Sequence, residues 1–178
     1  MTRREIRENC FKMLFCQDFY PAQEKEEQLE RYFEALPEDE TDGEGRNVIL
    51  HQVGMSDAER AYLERRAEQV MEKIPEIDET IKAGARGWKL ERIGKVELAV
   101  LRLALFEVLF DEEIPERVAL NEGVELAKKF GGSDSGSFVN GILGKIMKDR
   151  AAASSQEKPE AAGQAEPVKE ERTADDTQ

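Results

Sequence analysis

The sequence predicts an all-α fold, on three observations. Apolar residues recur at intervals of three and four through most of the first 149 positions. Capping residues, prolines and glycines fall where those periodic stretches begin and end. No convincing period-two run is present, although Val48 to Val53 is compatible with a brief extended segment.

Each helix follows in order. Ile6, Cys10, Met13, Leu14 and Phe15 share the spacing of a first helix, which Thr2 caps ahead of Arg3 and Pro21 ends. Gln23 to Ala35 continues with Leu29, Tyr32, Phe33 and Leu36 on one face, an antiparallel partner because the connection is short. From Leu36 to Ser56, Pro37, the run Glu38-Asp39-Glu40, Gly43 and Gly45 predict a long acidic loop or local disorder. Ser56 or Asp57 then caps a helix carrying Ala61, Leu63, Ala67, Val70, Met71 and Ile74, and Pro75 opens the next with Ile77, Ile81 and Ala85.

Between Val96 and Phe110 apolar residues fall on nearly every side, the pattern of a central helix at the hub of the core. Pro115 at the first helical position and Gly131 just past the end bound a helix from Pro115 to Phe130. Ser133-Asp134-Ser135 caps the last helix, whose apolar stripe is Phe138, Val139, Ile142, Leu143, Ile146 and Met147. Gly141 and Gly144 inside it cost up to about 1 kcal/mol each, which predicts close packing against another helix. The expectation is about seven helices in one domain, 1–149. An acidic tail, 150–178, should be disordered, since Val168 is its only large apolar residue.

At 178 residues the chain suits one globular unit. Its apolar runs fall well short of the roughly 20 residues that span a bilayer, and Met1-Thr2-Arg3-Arg4 leads into interleaved charges rather than a signal peptide; the cytoplasm, with no membrane partner, is expected. Two cysteines, Cys10 and Cys16, supply neither a disulfide framework nor a structural zinc site. With His51 as the single histidine, metal ligation and histidine-based catalysis are hard to assemble, so no metal, cofactor or catalytic residue is expected.

A net charge of -13 argues against nucleic acid until its distribution is considered. Residues 21–60 hold four basic and twelve acidic groups, residues 151–178 three and seven, while residues 1–20 hold four and three. The acidity is concentrated away from the N-terminal helix. There Arg3, Arg4 and Arg7 are spaced three and four apart, so that Arg7 shares a face with both others, and three guanidiniums on one face suit successive phosphates. Solvated surface charge is the plainer account, with Glu5 and Glu8 offsetting the field, yet arginine at a helix N-terminus opposes the macrodipole and calls for another reason.

A second feature is the run Gly131 to Gly141, where small residues and Phe138 meet a helix start. Exposed amides there suit a nucleic-acid backbone and Phe138 suits an unpaired base; a buried Phe138 behind a helix cap is the competing account. Glu91, Glu97, Glu107, Glu122 and Glu125 have no nucleophile, histidine or phosphate loop to work with, and are expected to be helix-surface or interface charges.

Three stretches together resemble the NusB family. They are Arg3-Arg4-Glu5-Ile6-Arg7-Glu8 running into Met13-Leu14-Phe15-Cys16-Gln17; Gly87-Trp88-Lys89-Leu90-Glu91-Arg92-Ile93 with Val96 to Glu107; and Ile114-Pro115 through Glu125-Leu126-Ala127-Lys128-Lys129-Phe130-Gly131 to Phe138-Val139-Asn140-Gly141-Ile142-Leu143. The resemblance implies two small packed helical bundles and a non-catalytic RNA-binding adaptor of transcription antitermination. Such an adaptor binds boxA-type single-stranded RNA of ribosomal RNA operons together with the ribosomal protein NusE, in an assembly on RNA polymerase. By position, Arg3, Arg4 and Arg7 match the RNA-binding helix and Asp134 and Phe138 the RNA-contacting loop, with Lys128 and Lys129 as added phosphate contacts. Phe15, Glu91 and Glu97 match the partner face, and self-association into a homodimer is compatible with the family. A similar domain also opens some RNA cytosine methyltransferases, for which a catalytic domain would have to follow, and a purely structural helical protein is the remaining alternative.

Overall fold

The computed structural model describes residues 1–35, 38–41, 43–51 and 54–156. Six α-helices form among them: α1 (Arg3–Gln17), α2 (Lys25–Glu34), α3 (Asp57–Gly84), α4 (Lys95–Phe110), α5 (Glu116–Phe130) and α6 (Ser135–Gln156). Helix α6 thus runs past the boundary expected at 149, and the part of the expected tail over 157–178 lies outside the described residues.

The chain is all-α in class with one small departure. Within the stretch expected to be a loop, β1 (Glu38–Thr41) pairs antiparallel with β2 (Asn47–His51), Thr41 opposite Asn47 and Asp39 opposite Ile49. Gly45, at φ 78°, supplies the left-handed turn residue that lets the two strands face each other. Positions 36, 37, 42, 52 and 53 of that stretch lie outside the described residues.

Reciprocal capping starts two of the helices. The Thr2 hydroxyl accepts the Glu5 amide at 3.2 Å while the Glu5 carboxylate accepts the Thr2 amide at 2.6 Å. Ser56, rather than Asp57, does the same for α3 with Glu59. Ser56→Ala is expected to lower stability by about 1 kcal/mol, read as a shift in the urea midpoint without a change in slope.

Pro75 does not open a new helix: α3 is continuous for 28 residues with Pro75 inside it. An interior proline loses a backbone hydrogen bond and costs about 3 kcal/mol. Ile77 and Ile81, both fully buried beyond it, contribute about 1.5–3 kcal/mol each by leaving water, enough to keep the second half of α3 on the same axis.

Helix α4 is the hub, with every residue from Leu98 to Glu107 buried. Around it pack α1, α3, α5 and α6, and their buried side chains merge into one core that includes Met13, Leu63, Val100, Leu126 and Leu143. Cys10 belongs to this core, where burial pushes its thiol up to about 12 and leaves it inert.

Close helix approach occurs at glycines other than those expected. A Cβ added at Gly141 or Gly144 would meet open space, whereas one at Gly84 would overlap Ile146 of α6 and one at Gly123 would stand 3.0 Å from Ala104 of α4. Gly141 and Gly144 lie on the exposed side of α6, so helix packing does not require them.

Candidate nucleic-acid interface

The three N-terminal arginines have three different environments. Arg3 is exposed and makes no ion pair with a described residue. Arg4, with 69% of its side chain exposed, lies across to α5 and donates to Glu122 at 3.2 and 3.3 Å. Arg7 turns inward: 6% of its side chain is exposed, and its Nε donates to both oxygens of Glu107 at 2.9 Å.

Glu107 is therefore a core residue, contrary to its expected place on a helix surface or an interface. Its carboxylate, 1% exposed, also accepts from Arg66 at 3.2 Å, and Arg66 in turn pairs with Asp111 at 2.8 Å. Burial pushes the Glu107 carboxyl up from its usual value, and the guanidiniums of Arg7 and Arg66 oppose that shift. A charge that would cost several kcal/mol alone in the core is held there by two opposite ones, and the network fastens α1 to α4 and α3.

The exposed side of α1 is laced to α5. Lys129 donates to both oxygens of Glu8 at 2.8 Å, and Lys12 pairs with the same carboxylate at 3.3 Å. Lys128 pairs with Glu125 at 2.7 Å, and its stem crosses Gly136 at the start of α6, where an added Cβ would stand 2.7 Å from Lys128 Cγ. Of the cations expected to face phosphate, Arg4, Lys128 and Lys129 thus share their charge with a neighbouring carboxylate.

At the α5–α6 junction, Asp134 is exposed and its carbonyl accepts the Phe138 amide at 2.9 Å. Phe138 is half-buried and meets Trp88 edge to face, ring centres 5.2 Å apart at 78°. Phe138 is thus neither fully buried in the core nor fully open to solvent. Trp88 remains 53% exposed, and with Arg92, Glu97, Asp134 and Phe138 it lines an open cleft of about 370 Å³. Trp88 and Arg92 fall in the stretch Gly87-Trp88-Lys89-Leu90-Glu91-Arg92-Ile93, where cations interleaved with an aromatic are the signal that the sequence offers.

Of the residues expected on a partner face, Phe15 lies near the end of α1, Glu91 just before α4 and Glu97 in the first turn of α4. Asp18, just past α1, pairs with Lys95 at 3.3 Å and Arg102 at 2.9 Å. Phe15 is half-buried and stands edge-on to Phe19, itself 57% exposed, with ring centres 5.1 Å apart. Glu91 is exposed on the short 3-10 turn Leu90–Arg92. Glu97 is half-buried and accepts a hydrogen bond from the Ser135 hydroxyl, so it ties the start of α4 to the start of α6 and touches the cleft below Phe138.

A helical body that presents aromatic and cationic side chains along one edge is, in class, a binding protein. The sequence model of the NusB family matches residues 4–148, and the chain belongs to that family of non-enzymatic transcription antitermination factors. It is 45% identical over 147 residues to the transcription antitermination protein NusB of Lachnoclostridium phytofermentans, covering 83% of this chain and 99% of that one. To the protein of the same name from Agathobacter rectalis it is 42% identical over 146 residues, covering 82% and 99%. Among solved structures, T. maritima NusB superposes with a TM-score of 0.66 at 30% identity over 88% of this chain and 98% of that one. A structure of the antitermination factors NusB and NusE with double-stranded RNA shares the fold, with a TM-score of 0.59 at 23% identity over 84% and 99%.

No helix among the described residues is long and apolar enough to cross a membrane.

Proposed function

We propose that this protein is an RNA-binding adaptor of transcription antitermination. It holds boxA-type single-stranded RNA of ribosomal RNA operons jointly with the ribosomal protein NusE, in a cytoplasmic assembly on RNA polymerase. The observation that carries this reading is one continuous edge made by α1, α5 and the start of α6. Along it we assign Arg4, Lys128 and Lys129 to a nucleic-acid backbone, with Asp134 and Phe138 at its end and Arg3 beside it in a neighbouring cleft lined by Arg66, Asp111 and Glu113. Arg7 serves that edge from beneath, because its guanidinium is held by Glu107 and positions α1 rather than meeting a phosphate.

Carboxylates along the same edge set the energetics. Glu8, Glu122 and Glu125 neutralise much of the cationic field, and the whole chain carries -13, so electrostatic attraction for RNA is weak in the isolated protein. A basic partner seated on Phe15, Glu91 and Glu97 would supply the missing positive potential beside the same strand.

The test is binding of a boxA-like strand and a scrambled control at near-physiological salt, with and without NusE. Preferential binding of the boxA-like strand, strengthened by NusE, is expected; equal binding of both strands, or none in either condition, would refute the adaptor. Phe138→Ala should weaken RNA binding by about tenfold, the scale of one lost base–aromatic stack, with the helical circular dichroism unchanged. Collapse of that signal would instead assign Phe138 to the core.

A further inference from the structure

We infer that the RNA path continues past Phe138 onto the segment Arg86 to Arg92, with Trp88 as the stacking platform for a further unpaired base and Arg86, Lys89 and Arg92 as its phosphate contacts. This extends the RNA-binding reading and rests on it.

Charge is the first ground. On α1 and α5, Arg4, Arg7, Lys128 and Lys129 are engaged by carboxylates, and of the cations expected to meet RNA there Arg3 is the one without an ion pair to a described residue. Arg86, Lys89 and Arg92 are exposed and form no ion pair with any described residue, and Glu91 is the single acid among these seven residues. A cation that must first leave a carboxylate gains less from a phosphate than one already free in water, so this segment is the more effective phosphate contact of the two.

Geometry is the second. Gly87, at φ 94°, takes the left-handed conformation that turns the chain at the end of α3, and the Trp88 amide closes that turn on the Ala85 carbonyl at 2.9 Å. The indole is half exposed and meets Phe138 edge to face, and an indole already in contact with one ring loses little freedom when a base stacks on its exposed part.

Chemistry of the cleft is the third. Asp134 is exposed on its wall and repels phosphate, but it accepts hydrogen bonds from a base amino group. A base therefore belongs inside, between Trp88 and Asp134, and the backbone outside, over Arg86, Lys89 and Arg92. That division is the one expected for single-stranded nucleic acid on an aromatic platform in a cationic groove.

Trp88 is the chain's single tryptophan, so its emission reports on this site alone. The full chain is titrated with an unlabelled boxA-like strand while emission is followed, and in parallel with a labelled strand by anisotropy. Saturable quenching at the anisotropy midpoint is expected. Trp88→Ala should lower affinity by about tenfold and Trp88→Phe by much less, while Arg86→Gln and Lys89→Gln should each reduce the salt slope by about 0.7. If the strand binds with Trp88 emission unchanged and Trp88→Ala binds it like the parent, the inference falls and the adaptor reading stands. Loss of NusE binding in Trp88→Ala with RNA affinity intact would assign the surface to protein and likewise overturn it. Absence of RNA binding by the parent chain would overturn both.

Discussion

Glu107→Ala is expected to destabilise the protein by about 3–5 kcal/mol, because it leaves a buried guanidinium without its acceptor and opens a cavity beside it. Arg7 Nε has both Glu107 oxygens as its close acceptors; the next carboxylate, Glu122, stands 3.6 Å from Nη1. Arg66 is better placed, since it keeps Asp111 at 2.8 Å. The loss should therefore fall on the attachment of α1, and urea unfolding together with hydrogen exchange of the α1 amides would measure it. Glu107→Gln retains an acceptor and is expected to cost far less.

The same pair of variants has a pH signature. Burial raises the Glu107 carboxyl above its ordinary 4.5, so the folded state holds that proton more tightly than the unfolded one. The contribution of this group to stability accordingly falls as pH rises from about 4.5 through the folded value. Glutamine does not titrate. The parent should thus lose stability relative to Glu107→Gln as pH rises through that window, and a difference that grows in the parent's favour would show that the two guanidiniums outweigh desolvation.

The helices that are legible in the sequence are those whose apolar spacing and caps agree. Thr2, Ser56 and the all-round apolar run of α4 each specify their element with local information, and the structure places them accordingly. Pro75 misleads because local sequence records its missing amide but not the burial of Ile77 and Ile81 against distant helices. Arg7 and Glu107 mislead for the same reason. Spacing puts Arg7 on a face with Arg3 and Arg4, yet which charges turn inward depends on a carboxylate one hundred positions away. The helix start at Asp134 and Phe138 is legible from its small capping residues, whereas the ring contact between Trp88 and Phe138 joins segments fifty positions apart and leaves no local signal.

The packing of α3 against α6 is the subject of the second large effect. Gly84 ends α3 one turn before Trp88, is buried, and leaves room for Ile146 of α6 where any Cβ would overlap it. Ile146 is itself 3% exposed and part of the core, so a displaced side chain moves against its packed neighbours rather than into solvent. Gly84→Val is expected to destabilise the protein by about 3 kcal/mol through overpacking, and to push α6 away from the segment that carries Trp88. Emission of Trp88 should then change as its edge-to-face partner is withdrawn, and RNA binding should fall although neither Gly84 nor Ile146 meets RNA. Ile146→Ala alone should cost about 2–5 kcal/mol by leaving a cavity. The double variant should be more stable than the sum of the two by at least about 1 kcal/mol, since each change makes room for the other. Strict additivity would show that α3 and α6 are held in register by something other than this glycine, and the aromatic pair would then have to be positioned from the α5–α6 junction instead.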